Sequence, residues 1–337
     1  MSDGYITRIR PDDSLGFKMV DALLEREGIR RDTHLDYTCA MYDGDGRMIA
    51  TGSCFGSTLR CFAVSAAHRG EGLMNQLLTH LIHYQAERGN YHLFLYTKPE
   101  TAPLLGDLGF YEIARVPDRL VFMENRRTGF SNYLLDLAKT KRCGVSAAIV
   151  MNANPFTLGH QYLAEQAAAQ CDVLHLFIVS EDVSDVPSAV RRRLAEQGTA
   201  HIPNVVVHDC GPYLISAATF PDYFLKKASE LTQCRAMLDA ELFKRISEAL
   251  GVTSRWVGEE PDDPVTALYN RVLAGSLPEA GIRCVILPRK EANGQPIRAT
   301  VVRELFRRGD MEALRSLVPR TTLDYLCSPE AEALRPR

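Results

Sequence analysis

Residues 145–160 read Val145-Ser146-Ala147-Ala148-Ile149-Val150-Met151-Asn152-Ala153-Asn154-Pro155-Phe156-Thr157-Leu158-Gly159-His160. The run from Val145 to Met151 is short and apolar, the pattern of a strand buried on both faces. A polar stretch ends it, and from Gly159 to about residue 170 the spacing turns helical. The alternation then continues. Strands are expected at 173–179, 204–208, 253–258 and 283–287. Helices are expected at 188–199, 221–232, 239–250, 265–274 and from about residue 300 onward. Strands alternating with helices predict a doubly wound parallel α/β sheet. Ligands of such sheets bind beyond the carboxyl ends of the strands.

The turn after the first strand carries chemistry. Gly159 has no Cβ, so backbone or ligand can come close. A helix N-terminus offers unpaired N–H groups to an anion. His160 lies in the first turn, and Thr157 adds a hydroxyl three positions earlier. The plainer reading is a capped helix start with a surface histidine. The pattern resembles the T/H-x-G-H signature of the nucleotidylyltransferase superfamily, with Asn154-Pro155 in its usual N/D-P-x-T/H context. About 140 residues further on, Pro296-Ile297-Arg298-Ala299-Thr300-Val301-Val302-Arg303 resembles the superfamily's I-S-x-S/T-x-[IV]-R motif. It departs at Arg298, where Ser is usual. The resemblance implies a Rossmann-like nucleotidylyltransferase domain with His160, Thr157 and Arg303 as catalytic groups. It also implies ATP contacts from Asn152, Asn154, Pro155, Gly159, Arg298 and Thr300. Arg255-Trp256-Val257-Gly258-Glu259-Glu260-Pro261 ends a strand where base or ribose would lie, which adds Gly258 and Glu260. For Glu259 an ordinary acidic turn is an equal reading. Lys226 and Lys227 on the 221–232 helix either reach phosphate or face solvent, and solvent is the plainer choice.

The N-terminal part, to about residue 125, reads as strands with few helices. Strand runs at 35–42 and 47–53 flank the turn Asp43-Gly44-Asp45-Gly46, a hairpin signal. A third run spans 58–64. Residues 72–88 place Leu73, Leu77, Leu78 and Leu81 at helical spacing, Gly89 ends that helix, and 92–97 returns as a strand. Arg69-Gly70-Glu71-Gly72 before the helix is an ordinary turn as a bare motif. In this order, with Gly109-Phe110-Tyr111 following, it resembles the R/Q-x-x-G-x-G/A loop that binds the coenzyme A pyrophosphate in GNAT acetyltransferases. The sequence departs from that loop at Ala67, where Gln or Arg is usual. The resemblance implies an α+β domain over residues 1–140, with Val64, Arg69, Gly70 and Gly72 holding a pantetheine arm, followed by the nucleotide domain over 141–337.

Composition sets outer limits. The 337 residues suggest about two domains. Hydrophobic residues at 46% and charged ones at 24% exclude disordered and fibrous classes. With 39 Lys+Arg against 42 Asp+Glu the net charge is -3, so no general field favours nucleic acid or anionic membrane. No apolar run approaches the roughly 20 residues that span a bilayer. Met1-Ser2-Asp3-Gly4-Tyr5 lacks signal-peptide features. The nine cysteines are dispersed without a CxxC pair, so free thiols in the cytoplasm are expected, and no metal site.

Together with Tyr91–Glu100 (YHLFLYTKPE) and Ser216–Phe224 (SAATFPDYF), these motifs make the chain similar to the citrate lyase ligase family over roughly residues 5–327. That resemblance implies use of ATP, Mg²⁺ and acetate to acetylate a thiol, with AMP and pyrophosphate released. The thiol belongs to the phosphoribosyl-dephospho-coenzyme A group on the acyl-carrier subunit of citrate lyase. Two other readings stay open. One is an adenylyl- or cytidylyltransferase of coenzyme biosynthesis with a non-catalytic N-terminal module. The other is a protein that only binds citrate lyase.

Overall fold

The computed structural model describes residues 5–180, 184–214, 220–221, 228–260 and 263–334. The chain divides into two compact units: Met1–Gly129 with Pro221–Cys234, and Phe130–Phe220 with Arg235–Arg337.

The first unit runs β1 (Ile6–Ile9), α1 (Ser14–Arg26), β2 (Tyr37–Tyr42), β3 (Met48–Phe55), β4 (Thr58–Val64), α2 (Leu73–Glu87), β5 (Phe94–Thr97), α3 (Ala102–Asp107), β6 (Tyr111–Val116) and β7 (Leu120–Glu124). Helix α1 departs from the strand-rich expectation. The Asp13 side chain caps it by accepting from Gly16 N–H at 2.8 Å, and Gly16, Val20, Leu23 and Leu24 bury one face. The strands form one sheet in the order β1-β2-β3-β4-β5-β7-β6. Every neighbouring pair is antiparallel except β4 and β5.

That parallel pair opens a cleft. Between the partners Thr51↔Ala63 and Ser53↔Arg60, β4 carries one residue more than β3. Cys61 takes φ 54° there, and a Cβ on the opposed Gly52 would come within 3.1 Å of the Phe62 ring. A bulge bends its strand. Strands β4 and β5 accordingly pair only at Thr58↔Phe94 and Leu59↔Leu95. Beyond that point a cavity of about 610 Å³ is lined by Val64 from β4 and by Tyr96 and Thr97 from β5.

The second unit begins with α4 (Gly129–Ala138), whose Leu137 belongs to the core cluster of Ala148, Phe177 and Phe243. The first unit ends at Gly129, the first residue of α4, and takes back Pro221–Cys234 with the start of α7 (Ala228–Leu250), whereas the sequence reading puts the boundary near residue 140. There follow β8 (Ser146–Met151), α5 (Leu158–Ala168), β9 (Val173–Ile178), α6 (Ser188–Thr199), β10 (Val205–Asp209), α7 (Ala228–Leu250), β11 (Val252–Gly258), α8 (Pro264–Ser276), β12 (Arg283–Leu287) and α9 (Ala299–Arg308). Helix α7 is continuous where two helices are expected, because residues 233–238 contain neither Gly nor Pro to break it. Lys226 and Lys227 lie outside the described residues, as do most of Ser216–Phe224 and Pro261.

The sheet is wholly parallel, in the order β10-β9-β8-β11-β12. Alternate β8 residues feed two cores: Ala147, Ile149 and Met151 on the α5 side, Ala148 and Val150 on the α7 side. The order reverses between β8 and β11, which is where the fold opens a crevice.

His175 on β9 and His208 on β10 are buried, with Nδ1 of the first 2.9 Å from Nε2 of the second. Burial pushes each down to about 4, helped by Arg142 at His175 and by His175 and Arg192 at His208. The unfolded chain takes up these protons nearer pH 6.5. The stability this pair contributes is therefore present above about pH 6.5 and lost as pH falls toward 4. We expect the thermal midpoint to drop over that interval. In a His175→Leu/His208→Leu double variant the drop should be shallower, and a slope equal to wild type would contradict the assignment.

Candidate active site

Helix α5 starts in a capping box. Thr157 Oγ1 accepts from His160 N–H at 3.3 Å, and Thr157 N–H donates to His160 Nδ1 at 3.0 Å. Because Nδ1 accepts, the neutral ring carries its proton on Nε2. Burial, with the charge of Arg289 nearby, pushes His160 down to about 4, so it stays neutral at physiological pH. Gly159 lines a pocket at the helix start, where a Cβ would lie in ordinary contact with Thr157 Oγ1 at 3.4 Å and the Ile297 carbonyl oxygen at 3.5 Å.

A pocket of about 410 Å³ sits at the switch point between β8 and β11. Asn152, Thr157, Gly159 and His160 line it from the β8–α5 turn, and Gly258 from the end of β11. Arg289 and Lys290, just past β12, line it as well. Arg289 donates to the Glu259 carbonyl at 2.8 Å and the Ile297 carbonyl at 2.9 Å, and pairs with Glu260. Burial and the neighbouring Arg298 push its pKa down. Glu260 therefore orients a pocket cation and is not itself among the lining residues. Sequence reading missed Arg289 and Lys290, although Pro288-Arg289-Lys290 directly follows a strand end, the place where ligands bind.

Other expected residues lie outside that lining. Arg298 is the N-cap residue of α9, and Thr300 is exposed in its first turn. Asn154 Oδ1 accepts from Val186 N–H at 3.1 Å, which fixes the loop after β8. Arg303 is placed apart from His160. It lines a separate small cavity with Pro155 and Asp185, donates from Nη1 to the Asn154 carbonyl at 2.7 Å, and has Nε 3.0 Å from an Asp185 carboxylate oxygen. Its Nε and Nη1 are held by protein groups, which ties Arg303 to the loop after β8, and it is not among the residues lining the pocket of His160. Arg303→Lys keeps charge but not both contacts. We expect kcat of the nucleotide reaction to fall roughly three- to tenfold, the worth of one ordinary hydrogen bond, with KM for ATP nearly unchanged. A rise in KM alone would restore direct phosphate contact.

Arg191, also missed, is fully buried and ties the strand ends together. It donates to the Asn152 carbonyl at 2.7 Å, the Val179 carbonyl at 2.7 Å and the Val186 carbonyl at 3.0 Å.

In the first unit, Val64, Arg69, Gly70 and Gly72 all line the cleft between β4 and β5. Gly70 and Gly72 take φ 86° and 76°, a conformation that favours glycine. Gly72 is the N-cap residue of α2 and forms no side-chain cap, leaving first-turn N–H groups for an anion. Glu27 pairs with Arg69 and accepts from Ala66 N–H at 3.2 Å, a partner that sequence reading missed.

A family model of the citrate lyase ligase C-terminal domain matches residues 146–326, and one of the acetyltransferase (GNAT) family matches residues 8–112. The citrate (pro-3S)-lyase ligase of Klebsiella pneumoniae is 45% identical over 286 residues, covering 83% of this chain and 84% of that protein. The chain belongs to the citrate lyase ligase family. A second member of the family, from Escherichia coli K12, is 40% identical over 327 residues, 95% of this chain and 93% of its own. The matched residues fall in both units.

Among the described residues, no three His, Cys, Asp or Glu side chains come together to hold a metal ion, and no helix is long and apolar enough to cross a membrane. The pocket offers cations and neutral donors, which suit a triphosphate. A Mg²⁺ ion arriving on a triphosphate would need few protein ligands, which this lining allows.

Proposed function

We propose that this chain activates citrate lyase in the cytoplasm, using ATP and acetate to acetylate the prosthetic thiol of its acyl-carrier subunit. The observation that carries the proposal is the meeting of the α5 N-terminus, a neutral His160 and two cations, Arg289 and Lys290, in one pocket. An acetate oxygen attacks the α-phosphorus of ATP. The bond to the pyrophosphate oxygen breaks, leaving acetyl-adenylate and pyrophosphate. The thiol sulfur of the phosphoribosyl-dephospho-coenzyme A group then attacks the acetyl carbon, AMP leaves, and the thiol proton passes to solvent.

His160 supplies Nε2–H to a non-bridging α-phosphate oxygen, where charge grows in the transition state. Lys290 offsets the charge of the departing pyrophosphate, with Arg289 beside it held in place by Glu259, Glu260 and Ile297, and a Mg²⁺ ion carried on the triphosphate would add to that neutralisation. The first unit holds the prosthetic arm, with its pyrophosphate at the Gly70–Gly72 turn and its pantetheine along Val64. The test is acetate-dependent exchange of labelled pyrophosphate into ATP. Exchange that needs acetate supports the reading. Nucleotide transfer to a phosphate substrate without acetate would favour a coenzyme adenylyl- or cytidylyltransferase instead.

A further inference from the structure

The pocket has a second charged end that the phosphate chemistry leaves unused. Arg255 on β11 is only 2% exposed, with Nη2 2.7 Å from Asp239 on α7. Tyr269 on α8 donates to the same Asp239 oxygen at 2.5 Å. Burial alone would lower the pKa of Arg255, but Asp239 and Tyr269 more than offset it and hold it raised. Its Nε and Nη1 are buried without a hydrogen-bond partner, and its guanidinium lies 4.5 Å from the Phe243 ring centre. Arg235, also on α7, sits 5.2 Å from the Tyr269 ring centre, and its Nε is likewise buried without a hydrogen-bond partner. Both arginines line the pocket, as do Val150, Val179 and Val257 from the apolar cluster on that side of the sheet.

Arg255 pairs with the buried Asp239, while Arg235, half-buried beside the Tyr269 ring, brings a second positive charge to the same pocket with no ion-pair partner among the described residues. Asp263 feels the field of Arg235, but its oxygens already accept from Val265 N–H and Thr266 Oγ1. Buried cations with unspent donors are costly unless an anion satisfies them. A carboxylate matches the planar fork of an arginine, and the three valines suit a short alkyl group. A triphosphate does not suit this end: it is bulky, highly charged and already provided for by α5, Arg289 and Lys290.

We propose that Arg235 and Arg255 bind the carboxylate of the acid substrate, a short-chain monocarboxylate, with its alkyl group against Val150, Val179 and Val257. This subsite rests on the adenylation reading of the same pocket, and the experiment keeps the two apart. Pyrophosphate exchange is measured against acetate and against ATP for wild type, Arg235→Gln and Arg235→Lys. Arg235→Gln should raise KM for acetate about tenfold or more, the value of a hydrogen bond to a charged group, with KM for ATP within about twofold; Arg235→Lys should fall between. In parallel, the methyl signal of acetate in saturation-transfer NMR should be seen with wild type and lost with Arg235→Gln. Should Arg235→Gln fail to fold, Val257→Leu carries the same test, because it fills the alkyl end and leaves the charges alone. An unchanged acetate KM and NMR signal, or a rise in KM for ATP alone, would overturn the subsite. Wild type that binds acetate through Arg235 yet shows no exchange would overturn the adenylation reading and leave the subsite standing.

Discussion

His160→Ala lowers acetate-dependent pyrophosphate exchange by about 100-fold or more, the usual cost of removing one preorganised donor to transition-state charge. The ring is locked by Thr157 N–H on Nδ1, which leaves Nε2–H to donate. Its pKa near 4 means that it donates as a neutral group across the working pH range. The rate should therefore show no acid limb near 6.5 from this residue. Alanine also removes the partner of Thr157 N–H, one half of the capping box, at a cost of about 1 kcal/mol. His160→Asn is the companion variant: it retains a polar group near the cap and cannot reproduce both ring nitrogens. It should stay closer to wild type in thermal midpoint while remaining strongly impaired in exchange. A near-normal rate in folded His160→Ala protein would remove His160 from the chemistry.

Gly72→Asn puts a side chain where the arm's pyrophosphate approaches the first-turn N–H groups and slows acetylation of the carrier thiol by about ten- to 100-fold, the worth of one charge-assisted hydrogen bond displaced, and leaves pyrophosphate exchange largely intact. Asn is chosen because Gly72 has φ 76°, and Asn tolerates that conformation far better than a branched residue. A Cβ at position 72 meets nothing within 4 Å, so the new side chain projects into open space at the cleft and not into the core. Gly72→Val mixes the same obstruction with backbone strain and is the weaker probe. Equal loss in both half-reactions would indicate a single composite site or a folding defect, and circular dichroism separates those. Unchanged thiol acetylation would mean that the β4–β5 cleft keeps an acetyltransferase shape without using it.

The central strands of the second unit were legible because they are buried on both faces. Val145–Met151 anticipates β8 at Ser146–Met151, and the run at 173–179 anticipates β9 at Val173–Ile178. Burial on two faces writes a continuous apolar signal into the chain. The α5 turn was legible for a different reason: a helix start that must present N–H groups needs a small residue and a cap close together in sequence. Long-range arrangements were not legible. Arg303 follows the motif spacing, yet its donors go to Asn154 and Asp185, a partnership across about 150 residues that only the folded chain reveals. Arg255 stands inside an otherwise ordinary strand. Its meeting with Asp239 and Tyr269, with Arg235 on the Tyr269 ring, depends on how α7 and α8 cover the sheet. In the first unit, the β4 bulge that opens the cleft left no mark beyond Cys61 and Phe62 opposite Gly52, which read as plain strand.

One experiment bears on the central claim directly. The full chain is mixed with ATP, Mg²⁺, acetate and the thiol form of citrate lyase, and the carrier subunit is weighed by mass spectrometry while the nucleotide products are separated. The account predicts one added acetyl group per carrier arm, removable by hydroxylamine as a thioester, with AMP and pyrophosphate formed in equal amount to it. Acetylation that proceeds without ATP, or that yields ADP and phosphate in place of AMP and pyrophosphate, would contradict it.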